Sequence, residues 1–189
     1  MQNASSLVLH RLSLPLFLLF SLVASAQPPP SPGQNFIRVE RPRLRVSSEK
    51  ELTLLSAEEK ATTYYYFDGL GRKVMATAVQ AGPNFEDVVQ PYYYHPVTGK
   101  QDRTYLGYAK KQAKPGQYVA DAYQAAHDFY ANPPPGVAKD LAPFSQTTFE
   151  ASPLHRVQSH LGVGMSWRTT ESPQHARSHD WNYVLNDQR

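Results

Sequence analysis

The stretch from Thr62 to Gln80 constrains the fold more than any other part of the chain. Thr62-Thr63-Tyr64-Tyr65-Tyr66-Phe67 is entirely β-branched or aromatic, the side chains that suit a pleated surface. Asp68-Gly69-Leu70-Gly71 then reads as a turn. The Asp68 carboxylate is placed to accept a backbone N–H two residues on, and glycine reaches positive φ cheaply. Arg72 to Gln80 alternates Val74, Ala76 and Ala78 against Met75, Thr77 and Val79, the two-residue period of a returning strand. This hairpin sets the expectation of a mainly β fold.

The pattern recurs. Asp87 to Tyr94 is strand-like, Pro96-Val97-Thr98-Gly99 is a turn, and Lys100 to Tyr108 leaves it. A weaker copy runs from Thr147 to Glu150, through Ser152-Pro153-Leu154, into Arg156-Val157. Strand, turn with Gly or Pro, basic residue, strand: the chain carries a short internal repeat built from hairpins. Asn35 to Val46 alternates Ile37 and Val39 against Arg38 and Glu40, and Pro42 removes a ladder donor, so an edge strand is expected there. Ser56-Ala57-Glu58-Glu59 has capping-box spacing and is expected to open a short helical turn. One helix is expected over Tyr118 to Tyr130, with Val119, Tyr123, Ala126 and Tyr130 on one face and Asn132-Pro133-Pro134-Pro135 stopping it. The architecture expected is mainly β with minor α: hairpins forming a curved sheet with one packed helix.

The N-terminus reads as an address. His10 and Arg11 precede an apolar run from Leu12 to Val23, and Ala24-Ser25-Ala26 supplies small residues for a signal peptidase. Residues 1–26 are therefore expected to be a cleaved signal peptide, with Gln27 the new N-terminus, and the protein to be exported to the periplasm, the cell surface or the medium. The apolar run is shorter than the roughly 20 residues of a stable bilayer anchor. Residues 27–34 carry Pro28, Pro29, Pro30, Pro32 and Gly33 and read as a proline-rich spacer, leaving residues 35–189 as the domain. The chain has no cysteine, which excludes a disulfide framework and thiol-based metal sites, so the core must hold by packing. A formal charge of only +3 does not suit a nucleic-acid binder; Arg38, Arg41, Arg43 and Arg45 read as a solvated strand face.

No chemistry converges. His175 and His179 are four residues apart, but Ser172 and Pro173 flank them and no H-E-x-x-H arrangement is present; they read, with His155 and His160, as surface histidines. Asp68, Glu86, Asp87 and Asp102 can be nominated as a glycosidase pair, yet Asp68 is explained by its turn and the others sit in loops or at strand starts. Gly162-Val163-Gly164-Met165-Ser166 does not match a nucleophile elbow. Gly69-x-Gly71 precedes a strand, so no helix N-terminus is there to bind phosphate. The tyrosines read as packing partners of a two-layer β structure in preference to a carbohydrate platform. No catalytic, cofactor-binding or metal-ligating residue is assigned, no cofactor is expected, and the chain does not read as an enzyme.

Taken in order, these segments resemble the uncharacterised head domain of bacterial RHS/YD-repeat proteins. The resemblance is carried by Tyr66-Phe67-Asp68-Gly69-Leu70-Gly71-Arg72, by Tyr105 to Ala109, by Pro143-Phe144-Ser145, and by Phe149 to Leu154 with Arg156-Val157. Gly164 with Trp167, and Tyr183 with Asn186, complete it. The chain departs from the pattern at His95 and Lys100, which stand for Asp and Arg, at Lys73 and Gly107, which stand for prolines, and at His155, which stands for asparagine. The resemblance implies an exported, non-enzymatic structural or interaction domain associated with toxin-enclosing β shells. The chain matches the head without the repeat body. An open β edge is therefore expected to pair with a YD-repeat body protein or with another copy. The alternative is a stand-alone secreted module whose tyrosine-rich face binds glycan or protein.

Overall fold

A computed structural model describes residues 31–168 and 178–183. The expected signal peptide at 1–26, most of the spacer, His175 and Asn186 lie outside the described residues. The elements run β1 (Asn35–Pro42), α1 (Glu49–Leu54), β2 (Lys60–Phe67), β3 (Lys73–Ala78), β4 (Asp87–Tyr94), β5 (Gln101–Tyr105), β6 (Tyr108–Lys110), α2 (Ala122–Ala131), β7 (Phe144–Phe149), β8 (Val157–Leu161) and β9 (Ser178–Asp180), with a 3₁₀ turn at Met165–Trp167. All pairings are antiparallel, and the strands form one nine-stranded open sheet in the order β1-β2-β3-β4-β5-β7-β8-β9, with β6 beside β4. The protein is mainly β with a minor helical part, as expected from the hairpin pattern.

The core lies on the face that α2 covers. One cross-strand row places Phe36, Tyr66, Met75 and Pro91 side by side, and the next places Tyr64, Thr77, Val89 and Tyr108. Tyr66, Met75 and Val89 are fully buried. α2 sets Ala122 and Ala126 against this surface, small residues that let the helix axis come close, and adds Phe129 at the margin. Tyr64, Tyr66, Tyr105 and Tyr108 are therefore core residues, as the packing reading of the tyrosines expects. Their ring edges meet Phe36, Tyr118, Phe144 and Phe129, with centroids 5.0–6.0 Å apart. Burial pushes the Tyr66 phenol up to about 12, and its hydroxyl donates to the Gly116 carbonyl.

Four local expectations are corrected. The first strand ends at Pro42, before Val46: Arg43 still donates its N–H to the Glu59 carbonyl, 2.7 Å away, but Glu59 already belongs to the turn before β2 and no further residue pairs. Ser56 to Glu59 forms the short helical turn expected of it, with the Lys60 N–H on the Ser56 carbonyl at 3.1 Å and the Glu59 carboxylate on the Ser56 N–H at 2.9 Å, and it goes no further because Lys60 must already pair with Pro42. An unexpected helix forms earlier, on the equivalent box Ser48-x-x-Glu51: the Ser48 hydroxyl accepts the Glu51 N–H and the Glu51 carboxylate accepts the Ser47 N–H. There are thus two helices among the described residues, where one was expected. The second begins at Ala122, not Tyr118. Tyr118 is held in an extended path by its N–H on the Ser31 hydroxyl, at 2.8 Å, and by its ring on Tyr66. Its end at Ala131, before the proline run, is as expected.

The long strand expected from Lys100 to Tyr108 is split. β5 pairs with the Tyr92–Tyr94 half of β4 and β6 with Asp87–Val89, with the break at Leu106-Gly107. There Leu106 donates to the Pro143 carbonyl instead, and the Gln90 side chain reaches the Tyr105 carbonyl. Pro91 sits at this hand-over, which is how a proline without an N–H is accommodated in a central strand.

Candidate functional site: a ladder of hairpin turns

Antiparallel order brings the β2–β3, β4–β5 and β7–β8 turns to the same end of the sheet. Each follows an aromatic residue: Phe67, Tyr94 or Phe149. The next residue closes its turn from within. The Asp68 carboxylate accepts the Leu70 and Arg72 N–H groups, both at 2.9 Å; the His95 Nδ1 accepts those of Val97 and Thr98 at 3.3 Å; the Glu150 carboxylate accepts the Arg156 N–H at 3.3 Å. In each turn the backbone N–H of that residue also bonds the carbonyl of the basic residue that ends it, at 2.8–2.9 Å. The residue just before the basic one has positive φ in every case: Gly71 at 75°, Gly99 at 65° and His155 at 44°. Histidine joins asparagine and aspartate among the non-glycine residues that tolerate this region. His95 thus does in its turn what the Asp68 and Glu150 carboxylates do in theirs, its ring nitrogen accepting backbone N–H groups.

The basic residues join the turns to one another. Arg72 lies over the Tyr94 ring, 4.7 Å from its centre, and donates to the Gly99 carbonyl at 3.2 Å. Lys100 repeats this one turn on: it lies 4.9 Å from the Phe149 centre and donates to the His155 carbonyl at 2.7 Å. Arg156 lies 4.3 Å from the centre of Tyr183, beyond β9. Arg72 and Lys100 thus each cover the aromatic that precedes the next turn and bond the carbonyl of that turn's left-handed residue, while Arg156 covers Tyr183. Ring quadrupole and carbonyl dipole both favour the positive charge, so one turn fixes the position of the next. Arg72 and Arg156 are also paired within their own turns, with Asp68 and Glu150, at 2.7 and 2.8 Å.

These pairs set the acid response. The Arg156 guanidinium, with the Ser152 hydroxyl, holds the Glu150 carboxyl down at about 2, against an ordinary 4.5; the Arg72 N–H holds Asp68 below its ordinary value too. A carboxyl depressed on folding contributes stability that is complete above its unfolded pKa and is lost as pH falls through the folded one. The melting temperature is therefore expected to drop as pH falls from about 4.5 to about 2, and Glu150→Gln to flatten that slope, read by circular dichroism. A second expectation concerns backbone. Gly71→Val places a β-branched residue at positive φ and is expected to cost about 1–3 kcal/mol in urea denaturation, from strain alone, since a Cβ there meets nothing within 4 Å.

The residues nominated for catalysis do not meet. Asp68 belongs to the first turn, and Glu86 accepts from Asn84 within its own loop. Asp87 is buried on the helix-covered face, where it accepts the Gln80 and Gly116 N–H groups. Asp102 is buried on β5, at the shift in register between the Arg103–Tyr93 and Gln101–Tyr94 pairs. His179 lies in a strand, opposite His160, not on a helix. Gly164 opens the 3₁₀ turn with φ of 109°, and Trp167 packs so closely on Gly162 that a Cβ there would stand 2.5 Å from the ring. Among the described residues no group of three His, Asp or Glu side chains is arranged to hold a metal, and no helix is long and apolar enough to cross a membrane.

The profile of a family described as a domain of unknown function (DUF6443) matches residues 40–182. The chain belongs to the DUF6443 family. The match starts within β1 and ends just past β9, so this family's unit contains all three turns and every rung between them. No curated protein and no solved structure matches the chain. The hairpins of this DUF6443 domain are legible in its sequence, each as aromatic, capping residue, turn and basic residue. What local reading misses is that Arg72 and Lys100 each serve the following turn's aromatic. Its only signal is that Phe67, Tyr94 and Phe149 all stand immediately before the capping residue.

Proposed function

We propose that this DUF6443 chain is an exported, non-enzymatic structural domain that begins or caps a β-hairpin shell of the RHS/YD-repeat kind. The observation that carries the reading is the ladder: the first two turns each present a cation for the aromatic ring of the next, and the third presents Arg156 to Tyr183 beyond β9, an arrangement that extends by adding hairpins and needs no catalytic centre. β9 pairs with β8, and no other described strand lies on its outer side, which leaves backbone donors and acceptors for a further strand. The partner is a YD-repeat body protein or a second copy of the chain, joined through that edge. Neither nucleic acid nor a stable membrane anchor has a part in this reading.

Size-exclusion chromatography with light scattering tests it. The chain alone is expected to self-associate, and to become monodisperse when co-expressed with a YD-repeat protein encoded beside it. A tightly folded monomer that ignores such a partner would sink the reading. Export has its own check: N-terminal mass analysis of the secreted protein is expected to find the mature chain starting within a residue or two of Gln27, and retention of Met1 in a membrane fraction refutes it.

A second reading, a secreted binding module, has one observation in its favour. On the face away from α2, Lys73 lies between the rings of Tyr65 and Tyr92, 5.4 and 4.2 Å from their centres, a half-open aromatic surface of the sort that sugars stack on. Glycan binding by the monomer, lost on Tyr92→Ala, would favour it over the shell.

A further inference from the structure

Between the second and third turns lies a cleft of about 440 Å³, bordered by His95, Val97, Asp102, Thr147, Phe149 and His155. Asp102 is its distinctive wall. The residue is 8% exposed, and its Oδ1 is buried without a hydrogen-bond partner. Asp87, the other deeply buried carboxylate, shows the usual remedy: two backbone N–H groups. The cations nearest in the chain and the ladder do not pair with it. Arg103, the next residue, lies over the Tyr93 and Phe144 rings, 5.2 and 5.1 Å from their centres, with its own Nε buried and unpartnered; Lys100 is held by the His155 carbonyl and the Phe149 ring, and Arg156 by Glu150 and Tyr183.

We propose that this cleft binds a ligand carrying a primary ammonium or guanidinium group, with Asp102 as the counter-ion. A carboxylate removed from water and left unpaired is costly. A neutral hydrogen-bond donor relieves only the missing bond, whereas a cation relieves the charge as well and makes the stronger, charge-assisted bond. The remaining walls fit the rest of such a ligand. Val97 and Phe149 are apolar and suit a methylene stem, and the volume accommodates a group of amino-acid side-chain size rather than a bare ion. The His95 Nδ1 is occupied by two backbone donors, and the Thr147 hydroxyl lies 3.0 Å from His160 Nδ1, so neither competes as the principal partner of the charge. The site is independent of whether a further strand adds to β9.

Agmatine, which carries both cationic groups, is the probe, and methyl glucoside of comparable size is the uncharged control. Titration of the full chain followed by NMR is expected to give saturable agmatine shifts at Asp102, Thr147 and Phe149, and none with methyl glucoside. Asp102→Asn is expected to weaken agmatine at least about tenfold, the loss of one charge-assisted bond. The same change should raise the melting temperature of the free chain, because it removes an uncompensated charge. Ala151→Trp, at the exposed rim, obstructs the cleft without touching the core and is expected to abolish the shifts as well. Agmatine binding that survives both variants overturns the proposal, as does no binding to the unaltered chain or a preference for methyl glucoside. A melting temperature lowered by Asp102→Asn also overturns it, since the carboxylate would then be satisfied without a ligand.

Discussion

Gly116→Ala is expected to destabilise the domain by about 3–5 kcal/mol, an unusually large effect for one methyl group. Two costs fall on the same atom. Gly116 has φ of 79°, where an L residue is strained, and an added Cβ would stand 2.5 Å from the Tyr64 ring and 3.2 Å from Val79. The ring cannot yield: Tyr64 is buried, stacked on Tyr66 with centroids 6.3 Å apart and edged by Phe36 at 5.5 Å. Displacing Gly116 instead would break both bonds of its peptide groups, the N–H to Asp87 and the carbonyl to Tyr66. Gly136→Ala is the control, with φ of 87° and nothing within 4 Å of the new Cβ; it should show the backbone cost alone, about 1–2 kcal/mol. Urea midpoints at unchanged m separate the two. Equal losses at both positions would mean that the Tyr64 ring moves freely, and the packing account would fail.

Tyr66→Ala comes next, at about 3–5 kcal/mol for a large side chain removed from a fully buried site. The ring touches Phe36, Tyr64 and Tyr118 at once, so its loss separates β1, β2 and the segment leading into α2. Tyr66→Phe keeps the ring and removes only the hydroxyl. It is expected to cost about 1–3 kcal/mol, because the Gly116 carbonyl then has no donor in a dry site. The difference between the two variants isolates the ring's packing. A neutral Tyr66→Phe would show that water reaches that carbonyl.

How much of this was legible in advance follows the range of the interactions. The first turn could be read because everything it needs lies within five residues: Asp68 accepts the Leu70 N–H two positions on, as its spacing requires, and Gly71 takes the positive φ. The end of α2 was legible for the same reason, since prolines stop a helix wherever they occur. Helix α1 was not. Ser48-x-x-Glu51 and Ser56-x-x-Glu59 carry the same spacing; the Glu51 carboxylate accepts the Ser47 N–H at 2.8 Å and the Glu59 carboxylate the Ser56 N–H at 2.9 Å. Only the first is followed by residues free to continue as helix. The second runs at once into β2, which the β1 register claims from Lys60 onward. The start of α2 failed similarly: Val119 and Tyr123 keep helical spacing, but Tyr118 is drawn onto Tyr66, and Tyr123 remains exposed.

The candidate sites divide the same way. Phe67-Asp68, Tyr94-His95 and Phe149-Glu150, with Arg72, Lys100 and Arg156 after their turns, mark three hairpins in the sequence. Nothing local says that Arg72 belongs to Tyr94 or Lys100 to Phe149, because those partners meet only when antiparallel order stacks the turns at one end of the sheet. Asp102 is the extreme case: as a letter in Gln101-Asp102-Arg103 it is an ordinary polar residue of an alternating strand, and only the closure of β7 beside β5 makes it a buried carboxylate whose Oδ1 has no hydrogen-bond partner. The sequence by itself determined the three hairpin turns, the strands that flank them and the mainly β class, since backbone propensity and turn chemistry act over a few residues. Tertiary structure alone decided which helix formed, which cation met which ring and which carboxylate lost its water, since burial and long-range pairing exist only once distant segments share a surface.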